Sequence, residues 1–348
     1  MRSATVQQDI DSLISDRSLF DPLRGSGVLI TGATGLIGSM LVRALHEANV
    51  RYGLGIRVIA SVRDAEKAGR MFADIMDGGD ISINLGCNAD CSFIIHTASP
   101  TRSKYFMTNP VETIKTSVLG TVEILDLAVK NGASVVYLSS MEQYGAPYVP
   151  GELMTEDKIG VIDHLSIRSC YSESKRLCEC LCISYASEYG TDVKIARLGQ
   201  TFGAGAPLSD NRMPMQFANA VVSGTDIVLH TEGRSISNCI YLTDALSGIL
   251  TVLLKGRRGE AYNVSNDEEI KSVRQIAGTV AEQVAGGKIC VRVDIPEQQT
   301  GYAPDVNMYL NTDKLRSLGW KPVHSLTDSY ARLVEYIREM AEDYRPVR

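Results

Sequence analysis

Apolar and polar positions along this chain fall into blocks whose period keeps switching. An apolar run at 27–30 stops at a glycine-rich turn, a helical pattern covers 36–48, and a second apolar run covers 57–62. Strand, turn, helix and strand in that order make one βαβ unit. The rhythm continues, with 93–96 reading as strand, 111–130 as helix, 134–139 as strand, 171–189 as helix and 193–198 as strand. Regular alternation of this kind predicts an α/β fold with a doubly wound parallel sheet. Ahead of it, residues 1–26 read as a helical lead-in with Ile10, Leu13 and Ile14 on one side. Beyond about residue 200, Gly203, Gly205, Pro207 and Pro214 break the pattern into short elements. That texture predicts a smaller C-terminal region laid over the carboxyl edge of the sheet.

Composition narrows the picture only a little. At roughly 150 residues per domain, 348 residues suggest about two domains or one large unit. Apolar residues at 44% and charged residues at 22% exclude a disordered chain. The net charge of −6 argues against a nucleic-acid partner, which needs a basic face. No apolar run approaches the roughly 20 residues of a membrane span, the longest being 249–254, and residues 1–16 lack a secretory pattern. A cytoplasmic protein without a membrane partner is expected. Eight cysteines raise the question of a metal, but none forms a C-x-x-C pair, and Cys178, Cys180 and Cys182 do not share a helix face. They read as reduced residues of a protein with no metal site.

The turn after the first strand carries Gly32, Gly35 and Gly38 in a G-x-x-G-x-x-G spacing. Gly32 permits the bend, Gly35 lets backbone N–H groups approach a pyrophosphate, and Gly38 lets helix pack on strand. The helix N-terminus then favours the phosphates. Strand before and helix after are the context that makes this a dinucleotide site, with Thr34, Leu36 and Ile37 completing the turn. The expected architecture is therefore a Rossmann sheet. Its expected division is a lead-in at 1–26, an NAD(P)-binding domain at 27–200, and a substrate-binding region mainly at 201–348 with some segments returning to the sheet. The second strand leaves the cofactor open. An acid there would bind the ribose hydroxyls of NAD, and Asp64 is the candidate; Ser61 with Arg63 could instead hold the 2′-phosphate of NADP.

Tyr171 and Lys175 stand at i and i+4, on one helix face. A nearby ammonium favours the phenolate and lowers the tyrosine pKa, so Tyr171 is placed to take a proton as hydride leaves carbon for the nicotinamide. His96, at a strand end, reads as a structural hydrogen-bonding residue. The stretch 335–343 reads as a solvated helix face.

Together these motifs resemble the extended short-chain dehydrogenase/reductases that act on nucleotide sugars, over about 27–336. The marks are the three glycines; His96-Thr97-Ala98-Ser99; Ser139-Ser140-Met141-Glu142-Gln143-Tyr144-Gly145; Tyr171 with Lys175; Ala196-Arg197 before Thr201-Phe202-Gly203; Tyr241-Leu242-Thr243-Asp244; and Leu318-Gly319-Trp320-Lys321-Pro322. The resemblance implies bound NAD or NADP, with Thr97, Ala98 and Ser99 beside it. It also implies that Ser140 hydrogen-bonds the reacting oxygen, that Lys175 holds the nicotinamide ribose, and that two helices form a homodimer contact in which Tyr185 and Tyr189 could take part.

Within that family the residues after Ser140 separate reactions. Glu142 matches the acid of 4,6-dehydratases and UDP-glucuronate decarboxylases and is usually absent from 4-epimerases. Met141 replaces the aspartate that protonates a departing hydroxyl in dTDP-glucose-type dehydratases, and a thioether has no proton to give. Ser99-Pro100 with Tyr105 and Asn109-Pro110, Thr155-Glu156-Asp157, Arg168-Ser169-Cys170-Tyr171, and Ser209-Asp210-Asn211-Arg212 are similar to the decarboxylases. Arg168 and Arg212 are candidates for an anionic substrate. Gln200 stands where the family has a nucleotide-sugar-binding asparagine, and Arg234 lies three residues before the position of a diphosphate-gripping arginine, here Ser237. The expected order is UDP-glucuronate decarboxylase, then 4,6-dehydratase, then 4-epimerase. A non-catalytic NAD(P)-binding regulator is the alternative of another class.

Overall fold

The structure, a computed structural model, describes residues 3–101, 103–296 and 307–343. Five strands open the chain's main sheet: β1 (Gly27–Thr31), β2 (Arg57–Val62), β3 (Ile81–Leu85), β4 (Phe93–His96) and β5 (Ser134–Ser140). Strands Val193–Leu198 and Ala261–Val264 complete it, in the order Ala261–Val264, Val193–Leu198, β5, β4, β1, β2, β3. Every pairing is parallel. This is the doubly wound order, reversing between β1 and β4, where a crevice opens at the carboxyl ends of the strands.

The strands are apolar on both faces because helices cover both. In β1, Val28 and Ile30 pack with Leu41, Leu45 and Ile249, while Leu29 packs with Ile94, Ile124, Leu125 and Cys178. The first face is covered by α1 (Ala4–Ser15) and α2 (Leu36–Tyr52), and α3 (Ala65–Phe72) joins β2 to β3. After α4 (Ser103–Thr108), the second face is covered by α5 (Pro110–Asn131) and α6 (Ser169–Glu188). The helix ends follow their sequence: α5 begins on Pro110, and α2 and α5 stop at Gly53 and Gly132, both left-handed at φ 58° and 62°.

After α7 (Met213–Ser223), α8 (Leu242–Lys255) completes the cover of the first face, while α7 and the helix Leu326–Asp343 pack beside the smaller strands. Phe202, Met215, Phe217, Ile276, Tyr330 and Leu333 form a second core there. The C-terminal helix is therefore half core and not only a solvated face: Tyr330, Leu333, Val334 and Ile337 are buried, while Glu335 and Arg338 face outward. Glu339 also accepts hydrogen bonds from Thr5 N–H and Oγ1, fastening the two ends of the chain together. The lead-in helix is tied more deeply. Asp9, fully buried, accepts from Tyr241 Oη at 2.6 Å and from Arg332 Nη1 at 2.8 Å.

Candidate functional site

The glycine turn sits at the mouth of the crevice. Gly32 has φ 65°, and a Cβ on it would lie 2.9 Å from Ala98 Cα and from Thr97 Oγ1. A Cβ on Gly38 would lie 2.4 Å from Gly32 O, so α2 packs against the turn only with glycine there. Gly35 occupies the N-cap of α2 and provides no side chain to cap it, which leaves that helix end to a ligand. Thr34, Leu36 and Ile37 are half-buried around the same bend. Thr97 Oγ1 donates to Thr31 O and Ala98 N donates to Thr31 Oγ1, joining the β1 and β4 ends, and the buried Ser99 Oγ beside them has no partner among the described residues. A cradle that a Cβ would fill, an uncapped helix and an unpaired hydroxyl fit a dinucleotide.

At the end of β2, Ser61 is buried with its Oγ 3.8 Å from Cys87 Sγ. Arg63 is exposed, and Asp64 caps α3 by accepting from Lys67 N at 2.9 Å.

The proton-transfer residues meet at the end of β5. Ser140 ends the strand, accepts from Glu142 N at 3.2 Å, and lies close enough to the Tyr171 phenol to favour its ionised form. Tyr171 is buried and stacks on Phe106 of α4 with ring centroids 5.1 Å apart. Burial, and next the nearby Glu142 carboxylate, hold the phenol well above its ordinary pKa against the opposing effect of Ser140. This corrects the expectation that Lys175 lowers it. Lys175 Nζ donates to Leu138 O at 2.7 Å and lies 5.8 Å from the Tyr171 ring centroid, and burial, not its charge, sets the phenol's pKa. Burial lowers the ammonium itself to about 8.

Glu142 lies at the outer edge of this cluster, 3.5 Å from Arg168 Nη2. Burial raises its carboxyl pKa and Arg168 opposes the rise. Arg168 also donates to Ser103 Oγ at 2.6 Å and lies 5.4 Å over the Phe106 ring. Tyr105 is partly exposed on the same short helix. The structure thus brings Ser140, Glu142, Arg168, Tyr171 and Lys175 together.

The other substrate candidates stand apart. Gln200 Oε1 accepts from Cys239 Sγ at 3.4 Å. Arg212 is bound to Asp210 at 2.8 Å and donates to Thr201 O at 3.2 Å. Arg234 is exposed in the loop before strand Ile236–Tyr241, with no partner among the described residues. His96 bridges Thr31 Oγ1 at 2.7 Å and Thr121 Oγ1 at 3.3 Å, and burial pushes its pKa down to about 3. It is a neutral strut, not an acid–base group.

A scaffold beneath the cluster is built from residues that the resemblance marks, Lys175-Arg176 with Glu179 among them, but to which it gives no role. Arg176 donates to the carbonyls of Gln143, Tyr144 and Gly160. Arg197 pairs with Glu179 at 2.8 Å and donates to Tyr144 Oη, which in turn donates to Asn263 Oδ1. The available signals are an arginine inside an otherwise apolar strand, which needs a buried partner, and Glu179 one turn after Lys175. All eight cysteines are free thiols, and no helix among the described residues is long and apolar enough to cross a membrane.

Curated relatives are similar over nearly the whole chain. UDP-glucuronic acid decarboxylase 6 of Arabidopsis thaliana is 29% identical over 322 residues, 91% of this chain and 88% of that protein. UDP-glucuronic acid decarboxylase 1 of Xenopus tropicalis is 28% identical over 323 residues, 90% of this chain and 73% of that protein. Among solved structures, a dTDP-glucose 4,6-dehydratase from Streptomyces venezuelae with NAD and TYD bound gives a TM-score of 0.73 at 23% identity, covering 92% of this chain and all of that one. A UDP-N-acetylglucosamine 4-epimerase from Methanobrevibacter ruminantium gives 0.76 at 16% identity, covering 91% and 99%. The family described as NAD dependent epimerase/dehydratase matches residues 28–265, and the chain belongs to that family.

Proposed function

We propose that this chain oxidises C4 of a nucleotide-bound sugar with a bound nicotinamide dinucleotide, and that the sugar is a glucuronate that loses carbon dioxide. The observation that carries this is Glu142 paired with Arg168 at 3.5 Å, with the Glu142 carboxylate close enough to the Tyr171 phenol to help raise its pKa. A carboxyl and a guanidinium flanking the proton acceptor suit a substrate that carries its own carboxylate beside the reacting carbon. The decarboxylase relatives support the same reading.

In this scheme Tyr171 takes the C4 hydroxyl proton and Ser140 holds the oxygen. The dinucleotide, when bound, supplies the hydride acceptor and a positive charge that favours the phenolate. The resulting β-keto acid loses carbon dioxide with the ketone as electron sink, C5 of the enolate takes a proton from water, and returning the hydride to C4 and the proton to its oxygen gives the pentose. Gly32, Thr34, Gly35, Leu36, Ile37 and Gly38 would hold the dinucleotide phosphates, Thr97, Ala98 and Ser99 its nicotinamide half, and Ser61, Arg63 and Asp64 its adenosine half. Tyr105, Arg168, Gln200, Arg212 and Arg234 would hold the substrate. The proposed division keeps the dinucleotide on 27–200 and the substrate mainly on the remainder, with Ala261–Val264 returned to the sheet.

A homodimer through α5 and α6 is part of the proposal, supported by exposed Ile114, Leu119, Leu177 and Ile183 on those helices. Tyr185 is engaged within the chain, donating to Asp126. Cytoplasmic residence is proposed on the free thiols.

The test is a mass spectrum of products from UDP-glucuronate, dTDP-glucose, GDP-mannose and CDP-glucose. Loss of carbon dioxide from UDP-glucuronate is expected. Loss of water from a hexose, or epimerisation without mass change, would move the chain to the dehydratases or epimerases. No product from any of the four would return it to the non-catalytic class.

A further inference from the structure

The dinucleotide part of the reading above places a pyrophosphate on the glycine turn, with the adenosine half extending over the end of β2. The pairing of Thr31 with Ser61, and the bond from Ala33 N to Ser61 O at 3.3 Å, stitch the turn to that strand end. What the strand end offers decides between two ribose chemistries. A free ribose diol wants a carboxylate acceptor, whereas a 2′-phosphate wants a cation, best a guanidinium fork.

β2 closes on Val62, an aliphatic, buried side chain with no acceptor to give. The first acid beyond it, Asp64, uses Oδ1 to cap α3. The next, Glu66, pairs with Arg70 at 3.5 Å. Other cations of this part of the chain are committed: Arg43 of α2 to Asp74 and Met71 O, and Arg57, at the opposite end of β2, to Asp90. Arg63 and Lys67 are the exceptions. Both are exposed, they flank the capping carboxylate, and neither side chain has a hydrogen bond or ion pair among the described residues.

We infer that this strand end is built for a 2′-phosphate, so that the chain takes NADP in preference to NAD, with Arg63 as the specificity-determining residue and Lys67 as a second cation. The neutralising capacity is unengaged, whereas the one acid at the junction without a cationic partner, Asp64, already spends an oxygen on capping α3. The family's name and the NAD-bound neighbours make this a departure particular to the β2–α3 junction of this chain.

The inference rests on the dinucleotide site and not on which sugar reaction follows, so its test is binding. Purified full-length protein, freed of bound nucleotide, is titrated calorimetrically with NADP⁺, NAD⁺, 2′,5′-ADP and 5′-AMP. Since a hydrogen bond to a charged group is worth about 1.5–3 kcal/mol, NADP⁺ should bind about tenfold to a hundredfold more tightly than NAD⁺, and 2′,5′-ADP should exceed 5′-AMP similarly. Arg63→Ala should remove most of that preference, and the melting temperature should not move, because the Arg63 side chain has no partner among the described residues to lose. Arg63→Asp should favour NAD⁺. Equal or tighter NAD⁺ binding by the wild type overturns the inference alone, as does an Arg63→Ala variant that keeps the preference. Binding of neither dinucleotide overturns it together with the dinucleotide site. A sugar-nucleotide panel without product, alongside the expected NADP⁺ preference, overturns the proposed reaction and leaves the inference standing.

Discussion

Arg176 reaches from the helix of Tyr171 and Lys175 to the far side of the active turn, donating its Nε–H to the carbonyl of Gln143 at 2.6 Å. Its Nη2 donates to Tyr144 O at 2.9 Å and Gly160 O at 2.8 Å. One guanidinium thus clamps the turn that begins at Ser140 and carries Glu142 to the helix that carries the phenol. Arg176→Met should cost on the order of 1–3 kcal/mol of stability, since three partly buried carbonyls lose their donor. It should also lower kcat about tenfold or more with little change in KM, because the Ser140–Tyr171 alignment loosens while the binding surfaces stay. Arg176→Lys should restore only part, lacking the planar fork. Wild-type kcat in a less stable Arg176→Met protein would reduce the residue to a purely structural role.

Tyr171→Phe keeps the stacked ring on Phe106 and deletes the hydroxyl that faces Ser140. Turnover should fall by about a hundredfold to ten-thousandfold, the usual worth of a positioned proton acceptor. Dinucleotide affinity, measured by calorimetry, should not move. Because burial holds the free phenol above its ordinary pKa, the rate of the wild type should still be rising with pH through neutrality in the absence of any other limiting group. Equal rates for wild type and variant would remove Tyr171 from the reaction.

Glu142 and Arg168 oppose each other 3.5 Å apart, and the carboxyl titrates above its ordinary value because burial outweighs that pairing. Glu142→Gln keeps the shape and removes the charge. With UDP-glucuronate, release of carbon dioxide should slow more than the first hydride transfer, read as transient reduced-nicotinamide absorbance that accumulates before product. If carbon dioxide appears at the wild-type rate, Glu142 has no part in the carbon-centred step.

How much of this was legible in the sequence depends on the reach of each interaction. The glycine turn, Ser140 and the Tyr171–Lys175 pair are local patterns, and β1, β2 and β4 follow from apolar runs with unambiguous ends. β3 and α3 escaped because 81–85 alternates too weakly and lies at the sheet edge, with Leu85 exposed. Asp9 is the clearest loss. A fully buried carboxylate in the lead-in helix is held by Tyr241 and Arg332, and no local spacing connects residues that far apart. The Lys175 charge misled for a related reason. Helical spacing puts it on Tyr171's face, but only the packed sheet reveals that Leu138 O takes its proton donor.

His96 supplies a test of the buried floor of the site. Burial first, and the Lys175 ammonium second, lower its pKa from 6.5 to about 3. In the unfolded chain the imidazole takes up a proton below its ordinary pKa, while the folded one stays neutral down to about 3. Acidification through that window therefore favours unfolding on this residue's account, and above the ordinary pKa it contributes no pH dependence. His96→Asn can keep a bond to Thr31 and carries no titration. At pH 7 the variant should be the less stable, for want of packing and of the Thr121 contact. At about 1.4 kcal/mol per proton and pH unit, that deficit should shrink by about 2 kcal/mol between pH 6 and pH 4.5, the carboxylate contributions being common to both proteins. Urea unfolding at the two pH values measures it, and a deficit that stays constant would mean that the folded imidazole titrates normally.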